Sequence, residues 1–177
     1  MIRKEPDRTN QAPPRRHNHD GQWHIDLQPK NRKLVGMSNS NTSVQPYLFF
    51  NGRCEEALEF YRSAVGAEVE MLSRFKDAPE QSMTRPGTEN KVMHASFRIG
   101  ETLLMASDGR CDGVPRFEGF SLSVVVPNEE EAEKVFKALS DGGTTTMPLA
   151  KTFWAPKFGM LEDRFGVGWM VSVQHKP

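Results

Sequence analysis

The chain has 177 residues, 37% of them hydrophobic, and its 23 Lys/Arg balance 23 Asp/Glu, which suits one ordinary domain with its own core. Residues 1–43 hold eight Lys/Arg against four Asp/Glu, a net of +4, and the remainder holds fifteen against nineteen, a net of −4. The acidic body argues against nucleic acid as a partner, and no apolar run approaches the roughly 20 residues of a membrane helix.

Residues 1–43 combine Pro, Asn, Arg, His and Ser without apolar periodicity. Such a stretch cannot bury enough surface to offset its chain entropy, so we expect a disordered basic extension before a domain spanning 44–177. Met37 would serve as a start for the compact part. His17, His19 and His24 fit no closed metal site and are read as surface residues. No signal-peptide core follows the N-terminal charges. Cys54 and Cys111 lack metal-type spacing, so reduced thiols and a cytoplasmic setting are expected.

The body opens with a short strand, Tyr47-Leu48-Phe49-Phe50, and a turn at Asn51-Gly52. Ala57, Leu58, Tyr61 and Val65 recur at helical spacing, widened by Phe60, and predict a helix over Cys54–Val65 that Gly66 ends. Strands are predicted at Glu68–Phe75, Val92–Ile99 and Thr102–Ala106, with a polar, Pro-rich loop from Lys76 to Asn90. Asp108 starts a connection to Pro115 and is read as a turn residue.

The same order then recurs. Phe120–Val126 reads as a strand, and Asn128 as the N-cap of a helix whose apolar face is Ala132, Val135, Phe136 and Leu139. Gly142-Gly143 stops that helix, and three strands follow. The last lie in PLAKTFWAPKFGMLEDRFGVGWMVSV, Pro148 to Val173, where Asp163 and Arg164 organise a turn and Gly166 supplies its positive φ. The fold class is α+β, built from two βαβββ modules at about 45–108 and 118–174.

This doubled order, with EEALEFY at Glu55–Tyr61 and EDRFGVGWM at Glu162–Met170, resembles the PhnB-like branch of the vicinal oxygen chelate superfamily. Glyoxalases, dioxygenases and bleomycin-resistance proteins belong to that superfamily. The resemblance covers roughly residues 45–174. It implies that the two modules form one curved mixed sheet around a cleft, commonly completed across a twofold axis, so a homodimer is expected.

Alternation assigns the faces, because each helix must pack on the greasier alternate set of its strands. Ala95, Phe97 and Ile99 pack inward and leave His94, Ser96 and Arg98 for the cleft. Leu122, Val124 and Val126 leave Ser121, Ser123 and Val125. Trp169, Val171 and Val173 leave Gly168, Met170 and Ser172. The strand after Gly100 is ambiguous, but a superfamily register sends Leu103, Met105 and Ser107 to the cleft. Hydroxyls, thioethers, one imidazole and one guanidinium suit a small amphipathic ligand.

Carried over by resemblance, the superfamily's metal-ligand positions fall on Gln45 or Pro46, Met105, Ser121 and Met170. None is a His or a carboxylate, so neither a metal nor another cofactor is expected. The ligand-binding set is His94, Ser96, Arg98, Met105, Ser121, Ser123, Lys151, Trp154 and Met170. Within it His94 is the candidate general base, Trp154 a stacking surface at the cleft mouth, and Lys151 a contact for an anionic group. The expected function is metal-independent binding of a small molecule, with no nucleic acid and no membrane. The alternative is a glyoxalase- or dioxygenase-type (lyase-like) enzyme. A methyltransferase, an activity named in the family label, ranks last, because no glycine-rich strand–loop–helix for S-adenosylmethionine is present. Removing residues 1–36 should leave the melting temperature within a few degrees of the full chain, as calorimetry on both forms would show.

Overall fold

The computed structural model describes residues 43–80, 84–109 and 113–174. The expected basic extension and Met37, with the three histidines inside it, and Cys111, lie outside these residues. The element order is β1 (Tyr47–Phe49), α1 (Cys54–Val65), β2 (Glu68–Arg74), β3 (Val92–Ile99), β4 (Thr102–Ser107), β5 (Leu122–Val126), α2 (Glu129–Leu139), β6 (Thr144–Ala150), β7 (Phe158–Glu162) and β8 (Gly168–Val173). A 3-10 turn, Phe75–Asp77, follows β2. Two βαβββ modules are therefore present.

Both helices form where the apolar spacing predicts. α1 buries Cys54, Ala57, Leu58, Tyr61 and Ala64, while Val65 and Phe60 are only partly covered. α2 starts at Asn128, whose side-chain Oδ1 accepts the Glu131 N–H at 2.8 Å, and its first turn carries Glu129, Glu130 and Glu131 near the positive end of the helix dipole. Its buried face is Ala132, Val135 and Leu139. Phe136 lies against β7 so closely that a Cβ on Gly159 would sit 2.7 Å from its ring. Only glycine lets the helix approach the strand there.

The strands form two four-stranded mixed sheets, ordered β1-β4-β3-β2 and β5-β8-β7-β6. β1 runs parallel to β4 and β5 parallel to β8, and all other pairs are antiparallel. The single curved sheet implied by the resemblance is thus two sheets, and no strand pairing joins them among the described residues.

Side chains between the helix-facing surfaces join the modules instead. The Tyr61 ring stacks on Phe97 of β3 at 6.3 Å and 13°, and lies 5.5 Å from Trp169 of β8. Arg53 of the first module sits 4.5 Å over the Phe165 ring of the second, and Arg164 of the second 4.7 Å over Phe60 of the first. These reciprocal cation–π contacts flank a buried carboxylate, Asp163, which is 3% exposed. Its Oδ1 accepts the N–H groups of Phe165 and Val167 at 2.8 and 3.0 Å. Its Oδ2 accepts the Tyr61 hydroxyl at 2.7 Å and the Trp169 indole N–H at 2.8 Å. Burial first, then the Asp163 charge, holds the Tyr61 phenol well above its usual range, so it stays a donor.

Asp163 does organise its turn, as the sequence indicated, and Gly166 occupies φ 88° within it. Asp108 does more than a turn residue would. It is 1% exposed and accepts the N–H of Cys54 at 2.7 Å and of Val92 at 2.8 Å, tying the first turn of α1 to β3. Cys54 is a free buried thiol, and burial first, then the nearby Asp108 carboxylate, pushes its pKa up and disfavours the thiolate.

Because Asp163 satisfies four donors from two modules, Asp163→Ala should cost about 3–5 kcal/mol, and Tyr61→Phe about 1–2 kcal/mol. Urea unfolding monitored by Trp fluorescence would measure both; equal, negligible losses would show that the carboxylate is not the joint.

Candidate functional site

Each sheet presents one face to the shared core and the other away from it. On the first sheet Leu48, Phe50, Ala95, Phe97, Leu104 and Ala106 point inward and are at most 3% exposed. The opposite alternate set lies on the open face, and the strand register arranges it in rows. One row runs Tyr47, Met105, Ser96, Met71 across β1, β4, β3 and β2. The next runs Phe49, Ser107, His94, Ser73; His94 and Ser107 flank the directly opposed pair Ala95 and Ala106.

His94 and Ser96 therefore stand on the open face. The Tyr47 hydroxyl crosses β4 to meet His94 Nδ1 at 2.9 Å. Tyr47 also stacks on Phe49 at 4.9 Å and 27°, and these rings are 37% and 53% exposed. Arg98 lies on this face but is engaged: its Nε donates to Glu70 Oε1 at 2.6 Å and its Nη1 to the Glu101 carbonyl at 2.8 Å. Its guanidinium is thus already neutralised and anchored. Met105 is half-buried, whereas Ser107 is 3% exposed and its Oγ accepts the Gly109 N–H at 3.0 Å, so it offers little to a ligand.

The second sheet repeats the design. Trp169, Val171 and Val173 are buried, and Ser123, Met170, Met160 and Met147 form one open row across β5, β8, β7 and β6. Beside it lie Val125, Ser172, Phe158 and Ala150, with Val125 60% exposed. Ser121 falls just before β5, since the strand starts at Leu122 and not at Phe120. Its Oγ lies against Gly168, where an added Cβ would meet it at 2.8 Å. Trp154 belongs to the turn between β6 and β7, braced by Ala155 N–H to Thr152 Oγ1 at 3.1 Å. It meets Phe158 edge-on at 5.5 Å and Phe153 at 4.4 Å, so it borders the second face. Lys151 is exposed beside that turn, without an ion pair among the described residues.

Within one chain, then, His94, Ser96, Arg98 and Met105 share one face, and Ser123, Met170 and Trp154 share the other. Their inward neighbours meet in one core. Among the residues of these faces that sequence reasoning missed are Tyr47, Phe49, Met147 and Met160. Alternation within Tyr47–Phe50 would have found the first two, because Leu48 and Phe50 pack inward. The methionines needed the register of β6 on β7, which a bulge between Thr145 and Met147 displaces.

A divalent metal does not fit these faces. Tyr47 pairs with Met105, and the positions carried over by resemblance, Gln45 or Pro46, Met105, Ser121 and Met170, offer an amide or a proline, two thioethers and a serine. Thioethers are soft ligands, poorly suited to Zn, Mn or Fe(II). No group of His, Cys, Asp and Glu among the described residues is arranged to hold a metal. S-adenosylmethionine in its usual doubly wound cradle does not fit either. The strand–helix junction after β5 is Pro127-Asn128 without glycine, and both sheets are mixed.

The family model described as 3-demethylubiquinone-9 3-methyltransferase matches residues 42–172. Protein YjdN of Escherichia coli is 33% identical over 140 residues, covering 73% of this chain and 94% of its own length. Among solved structures, protein PA1353 from Pseudomonas aeruginosa is 42% identical with a TM-score of 0.67, covering 76% of this chain and 100% of its own. A putative 3-demethylubiquinone-9 3-methyltransferase, PhnB protein, from Bacillus cereus is 32% identical with a TM-score of 0.65, over 75% of this chain and 100% of its own.

The face assignment has a direct check. Ser123→Leu should shift stability by no more than about 0.5 kcal/mol, whereas Val171→Ser should cost about 2–4 kcal/mol. Chemical denaturation giving the reverse order would mean that the second sheet is turned the other way.

Proposed function

This chain belongs to the 3-demethylubiquinone-9 3-methyltransferase family, the PhnB-like branch of the glyoxalase/bleomycin resistance/dioxygenase superfamily, and from that premise we propose that it binds a small amphipathic molecule without a divalent metal. The observation that carries this reading is the make-up of the two open faces. Thioethers and exposed aromatic rings provide an adaptable apolar floor, and a few hydroxyls and one imidazole provide the polar contacts. His94, Ser96, Met105, Ser121, Ser123, Lys151, Trp154 and Met170 serve as ligand contacts, joined by Tyr47, Met147 and Met160. Arg98 contributes its alkyl stem.

The binding unit is a homodimer in this reading. Tyr47, Phe49, Val125, Phe153 and Trp154 are 37%, 53%, 60%, 97% and 47% exposed. A chain that opens both faces outward encloses a ligand only when another copy covers them. Apolar area of this kind marks an interaction surface. The setting is the cytoplasm, and no helix among the described residues is long and apolar enough to cross a membrane.

The second reading is a lyase-like enzyme. The Tyr47–His94 hydrogen bond favours it, since a phenol–imidazole pair can move protons. Methyl transfer stays last, for want of a cradle for its donor.

Native mass spectrometry of untagged protein should show a dimer carrying a small molecule that organic extraction releases unchanged. Elemental analysis should find well under one equivalent of Zn, Ni, Mn or Fe. A monomer at tens of micromolar by light scattering would overturn the dimer. One tightly held metal equivalent whose removal abolishes activity would overturn the metal-free reading.

A further inference from the structure

The Tyr47–His94 contact decides which way the imidazole faces a ligand chemically. Two arrangements satisfy a hydroxyl 2.9 Å from Nδ1. Either the phenol donates to a bare Nδ1, or a protonated Nδ1 donates to the phenol oxygen. The two are unequal in strength. A phenol O–H is a far better donor than the N–H of a neutral imidazole, being much the more acidic of the two. Its oxygen is also a poor acceptor, because one lone pair is delocalised into the ring, whereas the bare imidazole nitrogen is a good one. The phenol therefore donates, and the proton of neutral His94 resides on Nε2.

Nε2 has no partner among the described residues. No buried side-chain nitrogen or oxygen among them lacks a partner, so Nε2 is not sealed in. The imidazole ring lies 5.6 Å from the Tyr47 ring, which itself stacks on Phe49, so the histidine adjoins a flat, partly exposed apolar surface. The one other cationic group expected on this face, Arg98, is held by Glu70.

We propose that His94 meets its ligand as a hydrogen-bond donor and not as a proton acceptor, with Tyr47 as the positioning residue that sets this tautomer. The face then selects flat, apolar molecules that carry an acceptor oxygen, such as a carboxylate or a conjugated carbonyl. The ligand class rests on the binding function proposed above; the tautomer does not. Proton abstraction at Nε2 would first require the proton to move to Nδ1, which reverses the hydrogen bond into its weaker sense, Nδ1–H donating to the phenol oxygen. The lyase-like reading would therefore need this reversal before His94 could act as a base at Nε2.

Histidine-labelled full-length protein at pH 8, observed by nitrogen and carbon NMR, tests the tautomer without any ligand. His94 should show a protonated Nε2 and a hydrogen-bonded, unprotonated Nδ1. Tyr47→Phe, which keeps the ring, should move the Nδ1 resonance to that of an unbonded nitrogen while the backbone spectrum stays folded. A protonated Nδ1 in the parent protein, or an Nδ1 signal indifferent to Tyr47→Phe, overturns the proposal. Benzoate and benzylamine serve as probes of ligand class, one with acceptor oxygens and one with only donors at this pH. Benzoate should perturb the His94 Nε2–H signal, and His94→Leu should weaken its binding about tenfold, the worth of one hydrogen bond. A response to benzylamine alone, or to neither probe, overturns the ligand class. Failure to recover any co-purifying small molecule would count against the binding function and leave the tautomer result standing.

Discussion

A single buried carboxylate holds the two halves of this protein in register. Asp163 lies in the turn between β7 and β8, and it closes that turn through two backbone N–H groups. Its second oxygen takes the Tyr61 hydroxyl from one module and the Trp169 indole from the other. A carboxylate taken out of water is tolerable only when hydrogen-bonded in this way. The turn, the α1 packing face and the start of β8 must therefore all be correct together. The orientation of the second open face follows, because it is the reverse side of β8, and that of the first follows through Phe97 of β3, on which Tyr61 stacks.

This dependence explains why each sheet can stand without pairing to the other. Two curved sheets sharing an edge would need matched registers along a full strand. Here the modules need only match a helix surface, a few aromatic rings and two reciprocal arginines. Side-chain joints of this kind tolerate different strand edges, and leave the reverse face of each sheet uncovered within the chain.

The fold was largely legible because its signals are local. Helical spacing at Ala57, Leu58 and Tyr61, the N-cap at Asn128 and the glycine at 166 each act within a few residues. The faces were legible too, since alternation is unbroken in β5 and β8 and, in β3, from His94 to Arg98; only Val92, at the bulged start of β3, breaks it. The Tyr47–His94 bond was not, because it joins residues 47 positions apart across an intervening strand. Nor was the role of Asp108, whose two backbone partners lie in different elements. The anchoring of Arg98 by Glu70 needed the bulged register of β2 on β3. Separate sheets were hidden for the same reason: edge pairing between modules leaves no local mark in a strand.

Methionine stands on corresponding strands of both modules, at 71 and 105 in the first and at 147 and 170 in the second, with Met160 between the latter two. Thioether sulfur is readily oxidised to the sulfoxide, a strongly polar and chiral group, and reductases reverse the change. The row Met147–Met160–Met170 offers three adjacent sulfurs on an open face. Peroxide exposure would turn this apolar floor into one studded with S=O acceptors while the buried joint at Asp163 remained intact. The folded scaffold would then persist while its floor changed character, and the redox history of the protein would be written on the surface it presents.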